Sequence, residues 1–180
     1  MPLEDYEKQE KAFLRDRSLI QMHYLPESAD YPRHGIILAV KMPLRRIAET
    51  YARCFKRESH YDSLQFEADE PSCQAALLTT RRFAARGSIV AGAAGFSSQY
   101  WADQGDRLVM AWVWIHPYER GQGLLWQHWA ELEREYGQFL VAHPYSPAMI
   151  RFLIAHRDSI DPERITASYR TEIYGTDGSN

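Results

Sequence analysis

The chain of 180 residues has only two cysteines, Cys54 and Cys73, too few for a disulfide framework. Its seven histidines are scattered, with no C-x-x-C or H-E-x-x-H arrangement, so the spacing argues against structural zinc. No apolar run approaches the ~18 residues that a membrane span needs. Glu4, Asp5 and Glu7 stand at the start, where a signal peptide carries basic residues, and a cytoplasmic location is expected. Excess positive charge is missing too. A net charge of −3 and a pI near 6.2 argue against a protein built mainly to neutralise nucleic-acid phosphates, although a local basic face stays open. There is no internal repeat, low-complexity block or Gly-Lys-Ser/Thr phosphate loop. What remains, 45% apolar and 25% charged residues, suits one globular domain with a substantial core.

The most informative stretch is residues 108–136, LVMAWVWIHPYERGQGLLWQHWAELEREY. An apolar run over 108–115 reads as a strand, and Pro117, with no N–H for a sheet ladder, marks its end. Arg120, Gly121, Gln122 and Gly123 then lead into an amphipathic helix with Leu125, Trp129, Leu132 and Tyr136 along one side. Such a helix start has unpaired N–H groups and the positive end of the dipole, which together favour an anion such as a pyrophosphate. The glycines let a ligand approach the backbone, and Arg120 adds positive charge. A lone Gly-x-Gly also fits a plain strand-to-helix turn. Here strand, Pro, Arg, Gly, Gly and helix fall in order.

The run Ile115, His116, Pro117, Tyr118, Glu119, Arg120, Gly121, Gln122, Gly123 resembles the coenzyme A signature of the GNAT superfamily of N-acetyltransferases, Val/Ile-x-Pro-x-x-Arg-Gly-x-Gly-x-Gly/Ala. Leu125 stands at the last Gly/Ala position, followed by Trp126. The glycine spacing differs from a Rossmann loop, and no acidic residue follows at the end of a second strand. The resemblance implies an α+β fold, an α/β/α sandwich with a mixed, mainly antiparallel twisted sheet flanked by helices. That domain is expected over 35–174, with an N-terminal helical extension over 1–34 and a tail over 175–180. The implied activity is acyl-CoA-dependent N-acyl transfer, with acetyl-CoA as cosubstrate, a primary amine of a small molecule or protein as acceptor, and no metal. A catalytically inactive coenzyme-binding or interaction module is the alternative. Neither a membrane nor a nucleic-acid partner is expected, and a homodimer stays open.

Along the rest of the chain, residues 2–17 can form a helix with a thin apolar stripe, and 1–34 reads either as a surface arm or as a loosely packed helix. Residues 35–40 (GIILAV) predict a strand, after which Pro43 opens a helix with Leu44, Ile47, Ala48, Tyr51 and Phe55 on one face. Its other face carries Arg45, Arg46, Arg53, Lys56 and Arg57, either a steering stripe or a solvated surface. Strands are expected over 73–80 and 89–96 as a hairpin, with Gly92 and Gly95 marking a bulge or close approach. Residues 97–106 read as a polar loop. In the 108–115 strand, simple alternation puts Met110, Trp112 and Trp114 on one face, either an acceptor-binding wall or core, with no carboxylate on either face. Residues 138–142 predict a strand and 145–157 a helix capped by Ser146 with Pro147 at its start. Strict alternation over 164–174 predicts a terminal strand.

The 145–157 segment also resembles the second family motif, Asn-x-x-Ala-x-x-x-Tyr-x-x-x-Gly-Phe, aligned on Ala148. Tyr145 stands at the Asn position, Phe152 at the Tyr, and His156 and Arg157 at Gly-Phe. The family Tyr is often the acid that protonates the leaving thiolate, and Phe152 has no proton to give. Tyr145 is the candidate substitute, or a residue that merely closes the helix start. The resemblance implies that the coenzyme's pyrophosphate lies on the N–H groups of Gln122, Gly123, Leu124 and Leu125 beside Arg120 and Gly121, with the pantetheine arm along the strand end at Trp114 and Ile115. For the base that deprotonates the acceptor ammonium, His143 is the first candidate and His116 the second, because imidazole titrates near neutrality. Glu119 is expected to face solvent, and His60, Tyr61 and Phe66 are candidate acceptor contacts.

Overall fold

The computed structural model describes residues 22–26, 31, 34–82, 87–101 and 105–175; the helix expected over 2–17 lies outside these. The sheet contains six strands: β1 (His23–Leu25), β2 (Ile36–Leu38), β3 (Gln74–Thr80), β4 (Ser88–Trp101), β5 (Gly105–Ile115) and β6 (Leu140–Val141). Their order is β2-β3-β4-β5-β6, antiparallel except for the parallel β5/β6 pair. β1 pairs with Ser88, Ile89 and Val90 of β4, so part of the region expected to be an arm belongs to the sheet. Helices cover both faces, giving the α+β sandwich with a mixed, mainly antiparallel sheet that the sequence predicts, compatible with a GNAT-type arrangement.

Two cores lie on opposite sides of this sheet, as alternation along β3 requires. Ala75 and Leu77 join α1 (Met42–Ser59), where Leu44, Ala48, Tyr51 and Ala52 are buried. Ala76 and Leu78 join α2 (Leu124–Tyr136), α3 (Pro147–Ala155) and α4 (Ala167–Tyr174). Ser146 caps α3, its hydroxyl accepting the Met149 N–H at 3.2 Å. No helix among the described residues is long and apolar enough to cross a membrane, and both cysteines are free thiols.

The basic face of α1 clasps a loop. Arg45 donates to the carbonyls of Glu67, Ala68, Glu70 and Cys73, while Arg46 and Arg53 both pair with Glu49. Burial works to raise the Glu49 pKa, but hydrogen bonds from Arg53 and the Ala68 N–H, with the arginine charges, outweigh it and hold the carboxyl below its usual range. Burial lowers His23 and His156 from the ordinary 6.5. In all three cases the unfolded chain binds the proton first as pH falls. Stability is therefore expected to be fully present above the histidines' ordinary 6.5 and to decline below it as they begin to protonate. A second decline should follow below Glu49's ordinary 4.5. Melting temperatures followed by circular dichroism through both windows check this; a melting temperature constant to below 4.5 would be incompatible with it.

Three expectations are corrected. Residues 97–101 extend β4 and 105–107 extend β5, in a ladder that runs from Ser97↔Val109 to Trp101↔Gly105, where a loop was expected over 97–106. This ribbon projects past the core, and Ser98, Gln99 and Tyr100 are exposed, so the hydrophobic alternation that betrays a strand is missing. The expected terminal strand is a short 3-10 turn, Pro162–Arg164, followed by α4. Within its alternating pattern Ile165, Tyr169 and Ile173 recur every fourth residue and make a helical stripe; Ile165 and Ile173 are buried, whereas Ala167 and Thr171 are exposed. Finally, Gly95 pairs with Trp112 but Phe96 with Met110, so Ala111 is an extra residue in β5. That bulge turns Met110 to the α2 side and leaves Trp112 and Trp114 on the α1 side. Gly95 makes the close approach foreseen for it: a Cβ there would lie 1.9 Å from Trp112 Nε1.

Candidate functional site

The parallel β5/β6 pair is short. Val109 pairs with Leu140 and Met110 with Val141, and the Ala142 N–H still reaches the Met110 carbonyl at 3.1 Å. Beyond that point residues 112–115 are paired with β4 alone, while β6 has ended and the chain turns through a cis His143–Pro144 peptide. The sheet opens there. Parallel pairing puts the C-terminal ends of both strands at one end of the sheet, so His143 and the loop after Ile115 flank the same opening.

The loop starts with a 3-10 turn, Pro117–Glu119, in which Glu119 N–H returns to the His116 carbonyl at 2.8 Å. Gly121 and Gly123 then take φ of 72° and 74°, the left-handed region that favours glycine. A Cβ on Gly121 would meet nothing within 4 Å; the need for glycine there is set by backbone hand, and the space outside is open. No side chain caps the start of α2. Gln122 N–H donates to the Glu119 carbonyl at 3.3 Å, and the helical ladder begins with Gln127 N–H on the Gly123 carbonyl at 2.9 Å, so the amides of Gly123, Leu124, Leu125 and Trp126 lie ahead of it at the helix start. The side chains of Leu124 and Leu125 are buried in the α2-side core, which leaves their backbone as the part that faces the loop.

Arg120 lies folded against the protein. Its guanidinium forms a forked ion pair with Glu58 of α1, its Nε–H donates to the Ile115 carbonyl at 2.8 Å, and it sits over the Trp114 ring at 5.5 Å. Glu58 also accepts the Trp114 indole N–H at 2.8 Å. Trp114 itself is buried and stacks on Tyr51, with ring centres 5.3 Å apart, so its indole is core on the α1 side. Ile115 is half-buried against the α2-side core.

Glu119, expected in solvent, is 2% exposed, a correction that follows from the 3-10 turn folding its side chain inward. One of its oxygens, Oε1, has no hydrogen-bond partner and lies 3.7 Å from an Arg82 nitrogen. Arg82 also donates to the Tyr118 carbonyl at 3.0 Å, which brings an exposed positive charge to the loop from the end of β3.

The three candidate proton-transfer residues separate clearly. His116 is 1% exposed, and its Nδ1 accepts the Tyr118 N–H at 3.3 Å, so it organises the turn. Tyr145 is buried: its hydroxyl donates to the Val141 carbonyl at 3.1 Å and accepts the Thr166 N–H at 3.0 Å, and burial raises its pKa. His143 is exposed at the opening, with the Trp101 ring of the projecting ribbon edge-on at 6.4 Å. Phe152 packs on Trp129 beside a Trp126–His156 stack. Of the acceptor candidates, Phe66 is core, Tyr61 rests on Phe55, and His60 ends α1 in a left-handed conformation. Among the described residues no group of three or more His, Cys, Asp or Glu side chains is placed to hold a metal ion.

Glu58, Arg82 and Trp101 were absent from the sequence reading. Each reaches the site from a distant element, and nothing in its local pattern announces it.

No protein-family model and no curated protein matches the chain.

Proposed function

We propose that the protein is an acyl-CoA-dependent N-acyltransferase, with acetyl-CoA as cosubstrate and a primary amine as acceptor. The observation that carries this is a conjunction: the sheet opens between β5 and β6 at the end where β5 runs into a left-handed glycine loop and an uncapped helix start. The likeness of Ile115 to Gly123 to the GNAT coenzyme A signature supports the same reading. The amides of Gly123, Leu124 and Leu125 would hold the pyrophosphate, with Arg82 adding charge at the loop. Arg120, tied to Glu58, holds the loop on α1. The coenzyme supplies an activated thioester. His143 takes the proton from the acceptor ammonium; as the amine nitrogen bonds to the acyl carbon the C–S bond would break and coenzyme A leave as its thiolate, taking up a proton from solvent, and holding amine and thioester together at the opening provides much of the rate.

Calorimetric titration with acetyl-CoA tests the site. Saturable binding is expected, and Gly123→Glu, which puts bulk and negative charge beside the helix start, should abolish it. No binding by the unaltered protein would overturn the reading. A second reading, a coenzyme-binding module without chemistry, is favoured by the engaged Tyr145 hydroxyl and the Arg120–Glu58 pair. Coenzyme binding with no transfer to a broad amine panel would select it.

A further inference from the structure

A polar cleft of about 260 Å³ lies between α2 and the adjoining ends of β2 and β3. Its described walls contain no residue of β5, β6 or the glycine loop, so it is distinct from the opening between β5 and β6. Buried in one wall is His128, 5% exposed, with Nε2 at 2.8 Å from the Thr79 carbonyl oxygen. A carbonyl only accepts, which fixes a ring proton on Nε2. The other ring nitrogen, Nδ1, faces Glu131 Oε2 at 3.7 Å. That carboxylate is held in turn by backbone: Oε2 accepts the Ile36 N–H at 2.8 Å. Gly35 is what admits it, since a Cβ there would lie 2.8 Å from Oε2 and 3.1 Å from Oε1.

A carboxylate and an imidazole are thus fixed side by side, each by the backbone, at the edge of an open cleft. A ligand with several N–H donors and a positive charge suits the carboxylate. Arg81, exposed, lines the same cleft and offers a guanidinium fork of the kind that suits a carboxylate. The volume falls below the roughly 300–1,000 Å³ of clefts that take drug-sized ligands. We infer that this cleft binds a small zwitterion, a primary-ammonium carboxylate of amino-acid size, with its ammonium on Glu131 and its carboxylate on Arg81. Coenzyme binding is not required for it.

The test is calorimetric titration of the full chain with the common free amino acids, each beside its N-acetyl and methyl-ester forms. At least one free zwitterion should bind saturably, and blocking either end should weaken it by at least about tenfold. Arg81→Ala should weaken it similarly, with an unchanged circular dichroism spectrum because the side chain is exposed. Glu131→Gln keeps an oxygen for the Ile36 N–H while removing the charge, so affinity should fall with the melting temperature maintained. Failure of every zwitterion to bind, or equal binding of the blocked forms, overturns the inference.

Discussion

On the proposed acyl transfer, His143→Gln is expected to lower kcat by about 10²–10⁴-fold while acetyl-CoA affinity stays within about twofold. An amine acceptor arrives as an ammonium ion and must lose a proton before it can attack. Tyr145 has its hydroxyl committed to Val141 and Thr166, and His116 is buried with Nδ1 committed to the Tyr118 amide. His143 is the candidate that stands exposed where β5 and β6 part. Glutamine preserves much of the size and hydrogen-bonding capacity of histidine but cannot take a proton, so the loss should appear in kcat and should remove the acidic limb of the pH–rate profile. Steady-state kinetics across pH, with titration of the coenzyme, checks both halves. Activity retained within about threefold would move the base elsewhere. Tyr145→Phe makes a contrast, because it strands the Val141 carbonyl and the Thr166 amide and its main effect should fall on stability.

Glu133→Ala is expected to cost about 3–5 kcal/mol of folding stability, more than Arg164→Met, although both break the same ion pair. Arg164 is 4% exposed, enclosed by the rings of Trp129 and Phe139 at 5.1 and 4.6 Å, and one of its terminal nitrogens already lacks a partner. Without Glu133 the guanidinium charge stays buried, its remaining hydrogen bond being from Nε to the Phe139 carbonyl at 2.8 Å. Glu133, by contrast, is one-third exposed and keeps the Trp129 indole N–H at 2.8 Å, so losing Arg164 leaves a carboxylate that water can reach. Arg164→Met strands chiefly the Phe139 carbonyl, for about 1–3 kcal/mol. Urea denaturation of the two single variants and the double variant measures the difference. Equal costs would show that water reaches Arg164 in the folded protein.

Much of the frame was legible because it is written in local patterns. The i, i+3, i+4 stripe of α1, the apolar run of β5, the glycine loop and the Ser146–Pro147 start of α3 each depend on residues within a turn or two of one another. The order of elements then followed, and the mixed sheet between two helical layers was what the GNAT resemblance implied. Where local patterns served two structures, they misled. The 164–174 segment alternates like a strand and repeats every fourth residue like a helix, and packing of Ile165 and Ile173 into the α2-side core selects the helix. The solvated β4–β5 ribbon carries no alternation to read.

What the amino-acid order determined by itself was the strand, loop and helix around Gly121 and Gly123, because backbone hand and the missing Cβ are properties of the residues alone. Tertiary structure alone decided which side chains are at liberty to act there. Glu58 lies 62 residues from Arg120 and holds it, Thr166 lies 21 residues from Tyr145 and holds that, and one inserted residue, Ala111, sends Met110 and Trp112 to different cores. Such pairings depend on where distant elements come to rest, and that is set by the burial of two apolar faces and the register of the sheet between them.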